Sequence, residues 1–190
     1  MRTRALAAVL VVCCAAGAFA AQNKVSEQPF APGGRIELWL DAGEFQVKAA
    51  RDNRIRVTLT SRVGDTRIEL TASGAQGKVV LRNAPRIGFE AVIEVPKRSD
   101  LLIRMTAGDL DVSGITGSKD IESLAGDVRI EVGGVEHYAS VDASVKIGSL
   151  AAGPFGAKNE GRFGESINWT GKGKFTLRAR LLAGGDLKLE

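Results

Sequence analysis

Few residues in this 190-residue sequence are of a type that does chemistry. His137 is the single histidine, so neither a histidine-based metal site nor a histidine-dependent triad would find a second imidazole. Its setting, Glu136-His137-Tyr138, reads as a surface turn. Asp109, Asp111 and Asp127 are the best placed cation ligands, and Ca²⁺ takes six to eight oxygens. The glycine-rich nonapeptide spacing of Ca²⁺-binding repeats is absent, so these carboxylates are expected to bond nearby backbone N–H groups. Paired acids for cleaving a polysaccharide would need two carboxyl groups to converge. The acidic residues here are mostly the outward members of alternating stretches. The sequence therefore nominates no catalytic residue, no metal ligand and no cofactor.

Binding is a better match to the residues present. Lys174, Arg178 and Arg180 are expected on the outward side of one strand, as a basic stripe for an anionic glycan or lipid headgroup, or as an ordinary solvated face. Trp39 and Trp169 fall at outward-leaning positions, where an indole stacks on a sugar or packs beneath a loop. These five residues form the candidate binding face.

The elements that position them are strands. Thr106-Ala107-Gly108-Asp109-Leu110-Asp111-Val112 recurs as Leu124-Ala125-Gly126-Asp127-Val128-Arg129-Ile130, eighteen residues later. A weaker third copy is expected at Asp142-Ala143-Ser144-Val145-Lys146-Ile147, with Ile103, Ile121 and Ala139 keeping the interval. Ala42-Gly43-Glu44-Phe45-Gln46-Val47 is a forerunner, and Ala183-Gly184-Gly185-Asp186-Leu187-Lys188-Leu189 closes the sequence on the same phrase. Gly108, Gly126 and Gly185, each followed by Asp109, Asp127 or Asp186, are the structural turns. The apolar pair after each turn alternates with a charged residue, which is the period of a half-buried strand. A short fixed period suggests β-coils stacked about 4.8 Å apart, with an ordinary meander as the alternative.

Further strands are expected around Ile36/Leu38/Leu40, Ile55/Val57/Leu59, Ile68/Leu70, Val79/Leu81, Phe89/Ala91/Ile93/Val95, Leu101/Ile103/Met105, Ser166–Trp169 and Phe175/Leu177/Ala179/Leu181. Leu150 to Arg162, rich in Gly and Ala, reads as a loop or irregular coil. No stretch beyond the first twenty residues has helical periodicity.

Residues 1–20 read as a secretory signal peptide: Arg2 and Arg4, an apolar run from Ala5 to Ala16, and an Ala18-Phe19-Ala20 cleavage motif. Val12 before Cys13 argues against a lipidation site. Cleavage would remove both cysteines and leave 24 basic against 22 acidic residues, so charge does not point to nucleic acid. Residues 21–34 read as a flexible leader, and 35–190 as one domain with no membrane-spanning helix.

The order Ile93-Glu94-Val95-Pro96, Leu102-Ile103, Ala107-Gly108-Asp109-Leu110-Asp111-Val112-Ser113-Gly114, a second Gly-Asp phrase, Gly171-Lys172-Gly173, Leu177 and Gly185-Asp186-Leu187 resembles the bacterial "putative adhesin" family. The resemblance covers roughly residues 35 to 190. It implies an envelope-associated, β-helix-like domain whose motifs are turns, in a family mostly of unknown function. The weak third copy and the stretch from Leu150 depart from the pattern. The expectation is an exported, all-β, right-handed β-helix-like protein of the periplasm or cell surface. It would be non-enzymatic, presenting a β-face to an envelope protein or glycan. A structural or regulatory periplasmic module is the alternative, and a small carbohydrate-active enzyme a weaker one.

Overall fold

The computed structural model describes residues 24–61, 64–85, 87–159 and 163–190. The expected signal peptide and its cleavage site lie outside them. The described chain is all-β, with two single 3₁₀ turns at Val135–His137 and Gly153–Phe155. The strands are β1 Lys24–Pro29, β2 Arg35–Ala50, β3 Arg54–Ser61, β4 Arg67–Ser73, β5 Gln76–Arg82, β6 Glu90–Pro96, β7 Asp100–Ser113 and β8 Lys119–Ala125. They continue as β9 Val128–Ile130, β10 Tyr138–Ile147, β11 Leu150–Ala152, β12 Ala157–Asn159, β13 Phe163–Thr170, β14 Phe175–Gly184 and β15 Leu187–Leu189. All fifteen belong to one sheet.

Its backbone path has two arms. The first-arm segments Arg35–Leu40, β7 up to Met105, β8, β14 and β10 lie side by side in parallel. The second-arm segments, from Glu44 to Ala50, Leu110 to Ser113, β9, β15 and β11, do the same. Strand β5 extends the first arm and β6 the second, each in parallel beside β2. Buried residues alternate at 36, 38 and 40 and then at 45 and 47; in β7 they fall at 101, 103 and 105 and then at 110 and 112. A strand alternates its faces strictly, so the change from even to odd in β2, and from odd to even in β7, marks a corner.

The corner is built by glycine. A Cβ on Gly108 would stand 1.9 Å from the Gly43 carbonyl oxygen, and one on Gly126 1.9 Å from that of Gly108. Gly185 repeats the relation to Gly126 at 2.0 Å, and Gly148 to Gly185 at 1.9 Å. All five have positive φ, between 107° and 152°, where a Cβ is strained even with space around it. Here there is no space either. The expected turns at Gly108, Gly126 and Gly185 are thus three rungs of a five-glycine column.

Three expectations are corrected. Asp142–Ile147 is no third copy: Ala143 sits in the first arm beside Ala179 and Ile167, and the corner it was meant to supply is Gly148. Ala139 leaves the Ile103–Ile121 row for the same reason. Leu150 to Arg162 holds strands β11 and β12, because Leu150 and Ala152 continue the buried Leu187 and Leu189 pair. The leader holds β1, antiparallel to β3. Glu27 bonds Arg54 at 2.9 Å and Arg56 at 3.0 Å, and Phe30 enters the core.

The order of strands in space differs from their order in sequence. Strand β14 pairs with β8 on one side and β10 on the other, and β15 likewise lies between β9 and β11. Residues 175–189 therefore occupy the middle of the sheet.

Candidate binding face

Outward side chains of the first arm form rows that cross the sheet. Glu37, Leu102, Asp120, Arg178 and Asp142 share one row; Trp39, Arg104, Glu122, Arg180 and Ser144 share the next. Within this grid cations meet carboxylates. Arg104 Nη1 donates to Asp120 Oδ1 over 3.0 Å and also to two backbone carbonyls. Arg178 Nε lies 3.8 Å, and Arg180 Nη2 3.5 Å, from the same Asp142 oxygen. Two of the three stripe residues thus share a carboxylate. Lys174 stands just before β14, its ammonium 5.1 Å from the centre of the Phe175 ring.

The tryptophans part company. Trp39 is outward and 44 % exposed. It opens a trough of about 600 Å³ lined also by Lys78, Arg82, Arg104, Leu124 and Leu182. Leu124 and Leu182 are themselves exposed. Lys78 Nζ sits 5.9 Å from the centre of the Trp39 ring. Asp41 accepts the Asn83 N–H over 3.0 Å, holding Asn83 at a φ of 58° just beyond Arg82. Trp169 faces inward instead, correcting its outward assignment. It continues the row of Ile36, Leu101, Lys119, Leu177 and Val141, and its ring centre is 5.1 Å from that of Phe155. That is the packing beneath a loop which the sequence left open.

On the second arm, Glu44, Asp109, Asp127 and Asp186 line a hollow of about 550 Å³ with Arg129 and Lys188. The bonds of Asp127 and Asp186 run between coils, where the sequence suggested closure of each residue's own turn. Asp127 Oδ1 accepts the Asp186 N–H at 2.9 Å, and Asp186 Oδ1 accepts both the N–H and the hydroxyl of Ser149. Asp111 belongs to the neighbouring row and faces Arg129 at 3.7 Å. Among the described residues, no group of three or more His, Cys, Asp or Glu side chains is arranged to hold a metal ion. His137 is exposed on its 3₁₀ turn beside Glu136.

Sequence reasoning missed Lys119. Its side chain is buried, and Nζ donates to the Ile115 carbonyl at 2.9 Å and the Tyr138 hydroxyl at 3.1 Å. Burial pulls the ammonium pKa down to about 8, against weaker support from Asp100 and Glu131; burial pushes the Tyr138 phenol up to about 12. The signal was present in the eighteen-residue interval: Leu101 maps onto Lys119, a lysine where the row demands an apolar side chain.

Two solved structures resemble this fold. A crystal structure described as a "putative cell adhesion protein" from Clostridium sporogenes superposes with a TM-score of 0.53 at 10 % identity, covering 89 % of this chain and 100 % of that one. A "putative adhesin" from Bacteroides fragilis gives a TM-score of 0.28 at 8 % identity, over 90 % and 98 % of the two chains. At such identities the first likeness shows a shared fold alone, and the second carries no argument. No protein-family model matches the sequence, and no curated protein does.

Proposed function

We propose that the protein is an exported, non-enzymatic component of the cell envelope that holds a partner on the outward face of its first arm, in the manner of an adhesin. The two-armed coils with eighteen-residue spacing are read as a short right-handed β-helix, open where β3, β4 and β13 flank it. The observation that carries the binding reading is the Trp39 trough. A large indole left in water beside exposed Leu124 and Leu182 has no role in the core, and aromatic anchors concentrate in recognition surfaces. The adhesion description of the Clostridium structure agrees with this reading, and the sequence of residues 1–20 supports export to the periplasm or cell surface.

Affinity capture from the protein's own envelope fraction tests the proposal. The mature chain from Ala21 should retain a protein or glycan that Trp39→Ala releases. Turnover of a polysaccharide or peptidoglycan fragment by pure protein, abolished by one Asp or Glu substitution, would overturn it.

A further inference from the structure

The geometry points to a carboxylate-bearing saccharide as the ligand of the Trp39 trough, a deeper statement that rests on the binding reading above. Two observations combine. The first is a like-charge contact. Arg67 of β4 stands directly opposite Arg82 of β5 in the antiparallel register, and both side chains are exposed. Opposed like charges destabilise a strand pair, with Cβ atoms roughly 5 Å apart. Among the described residues, Arg67, Arg82 and Lys78 have no carboxylate partner, whereas Arg104, Arg178 and Arg180 on the same face each have one. Asp41 and Glu122 also line the trough and Glu69 lies two positions from Arg67 on β4, but none of these carboxylates forms an ion pair with the cluster.

The second observation is the surface next to those cations. Arg82, Lys78 and Trp39 line one trough, so a ligand that neutralises Arg82 and Lys78 also reaches the indole, with Arg67 at its edge across the β4–β5 pair. A planar guanidinium takes a carboxylate through two parallel N–H donors. An indole face offers apolar area suited to the C–H face of a pyranose ring, with Leu124 and Leu182 beyond it. A simple anion or a polyglutamate chain would use the cations and leave the indole idle. A sugar acid uses both, so the trough fits a uronate-type chain with its carboxylates toward Arg82 and Arg67 and a ring over Trp39.

Titration calorimetry of the mature chain with tetragalacturonate decides it. Binding is expected at low salt and should weaken several-fold on raising NaCl from 50 to 300 mM, since surface charges are screened. Trp39→Ala and the pair Lys78→Ala/Arg82→Ala should each weaken it at least tenfold, Trp39→Phe less than Trp39→Ala, and Lys172→Ala on an outlying loop less than twofold. Near-UV circular dichroism confirms that each variant remains folded. The fully methyl-esterified tetrasaccharide should bind at least tenfold more weakly. No binding of tetragalacturonate, equal binding of poly-L-glutamate, or indifference to Trp39→Ala would each overturn the inference. Envelope capture that still depends on Trp39 without uronate binding would remove the sugar acid and leave the broader binding reading standing.

Discussion

Lys119 Nζ donates to the Tyr138 hydroxyl over 3.1 Å, inside a row otherwise filled by Ile36, Leu101, Leu177 and Val141. A buried ammonium without a bonded carboxylate is costly, and here it is tied to two loop carbonyls and one phenol.

That contact gives the protein an alkaline signature. The lysine pKa falls from 10.5 in the unfolded chain to about 8 in the fold, so between these values the unfolded state binds more protons and stability rises with pH. Below pH 8 the penalty is full and constant. Above about pH 10 the raised Tyr138 pKa opposes the trend, because the unfolded phenol ionises first. Urea midpoints should therefore climb from pH 8 to 10, by on the order of 2 kcal/mol in stability. In Lys119→Met the climb should vanish; a wild-type profile with no climb would contradict the buried ammonium.

The glycine column makes a graded prediction. Gly126→Ala places a Cβ against the Gly108 carbonyl and should cost roughly 3 to 5 kcal/mol, combining positive-φ strain with a backbone clash. Gly133 also has positive φ but open space around its missing side chain. Gly133→Ala should cost about 1 kcal/mol. Equal urea midpoints for the two variants would refute the close approach.

The two tryptophans should differ in both spectroscopy and stability. Trp169 lies against Phe155, so Trp169→Ala should cost about 2 to 3 kcal/mol. Trp39→Ala should change stability by less than about 1 kcal/mol. Iodide should quench the emission of the Trp169→Phe variant, which retains Trp39, far more than that of Trp39→Phe. The reverse order would exchange their assigned environments.

A chain stopped after Gly185 would lose β15, and with it Leu187 and Leu189 between β9 and β11. Burying two leucines is worth roughly 3 to 6 kcal/mol, comparable to the whole stability of many domains. Limited proteolysis should digest this truncated chain under conditions where the full chain survives.

Much of the fold was legible in the sequence because each cause was local. Alternation at Ile36/Leu38/Leu40 or Ile55/Val57/Leu59 depends only on neighbouring residues, and so does a positive-φ turn at 108, 126 and 185, although the close approach that forbids a Cβ there is made between coils. The placement of β14 between β8 and β10 depends on which non-local edges meet, and no spacing rule encodes that. The same gap explains the misplaced third copy, since the eighteen-residue count was carried past a point where the chain leaves one coil position empty for residues 175–189. Trp169 was misjudged because β13 runs antiparallel at the flank, and its inward parity is set by Val141 across the pair. The candidate site was less legible still. Lys174, Arg178 and Arg180 are neighbours in sequence, but the carboxylate that answers two of them, Asp142, arrives from a different strand. Arg67 and Arg82, fifteen positions apart, meet only through the β4–β5 register.

Placing residues 175–189 at the centre also imposes a timetable. Ribosomal synthesis releases β8 to β11 well before the segment that must lie between them, so the growing chain holds a slot that nothing yet fills. Stacked repeats ordinarily fold as a one-dimensional array, each unit resting on the one before. This topology interrupts that route after β9, because the halves on either side of β14 join only after the latest strands arrive. Completion is then a single late event built on contacts of long sequence separation, which are intrinsically slow to form. Strands β1 to β9 can pair among themselves before then, so what waits for the last residues is the union of the two halves.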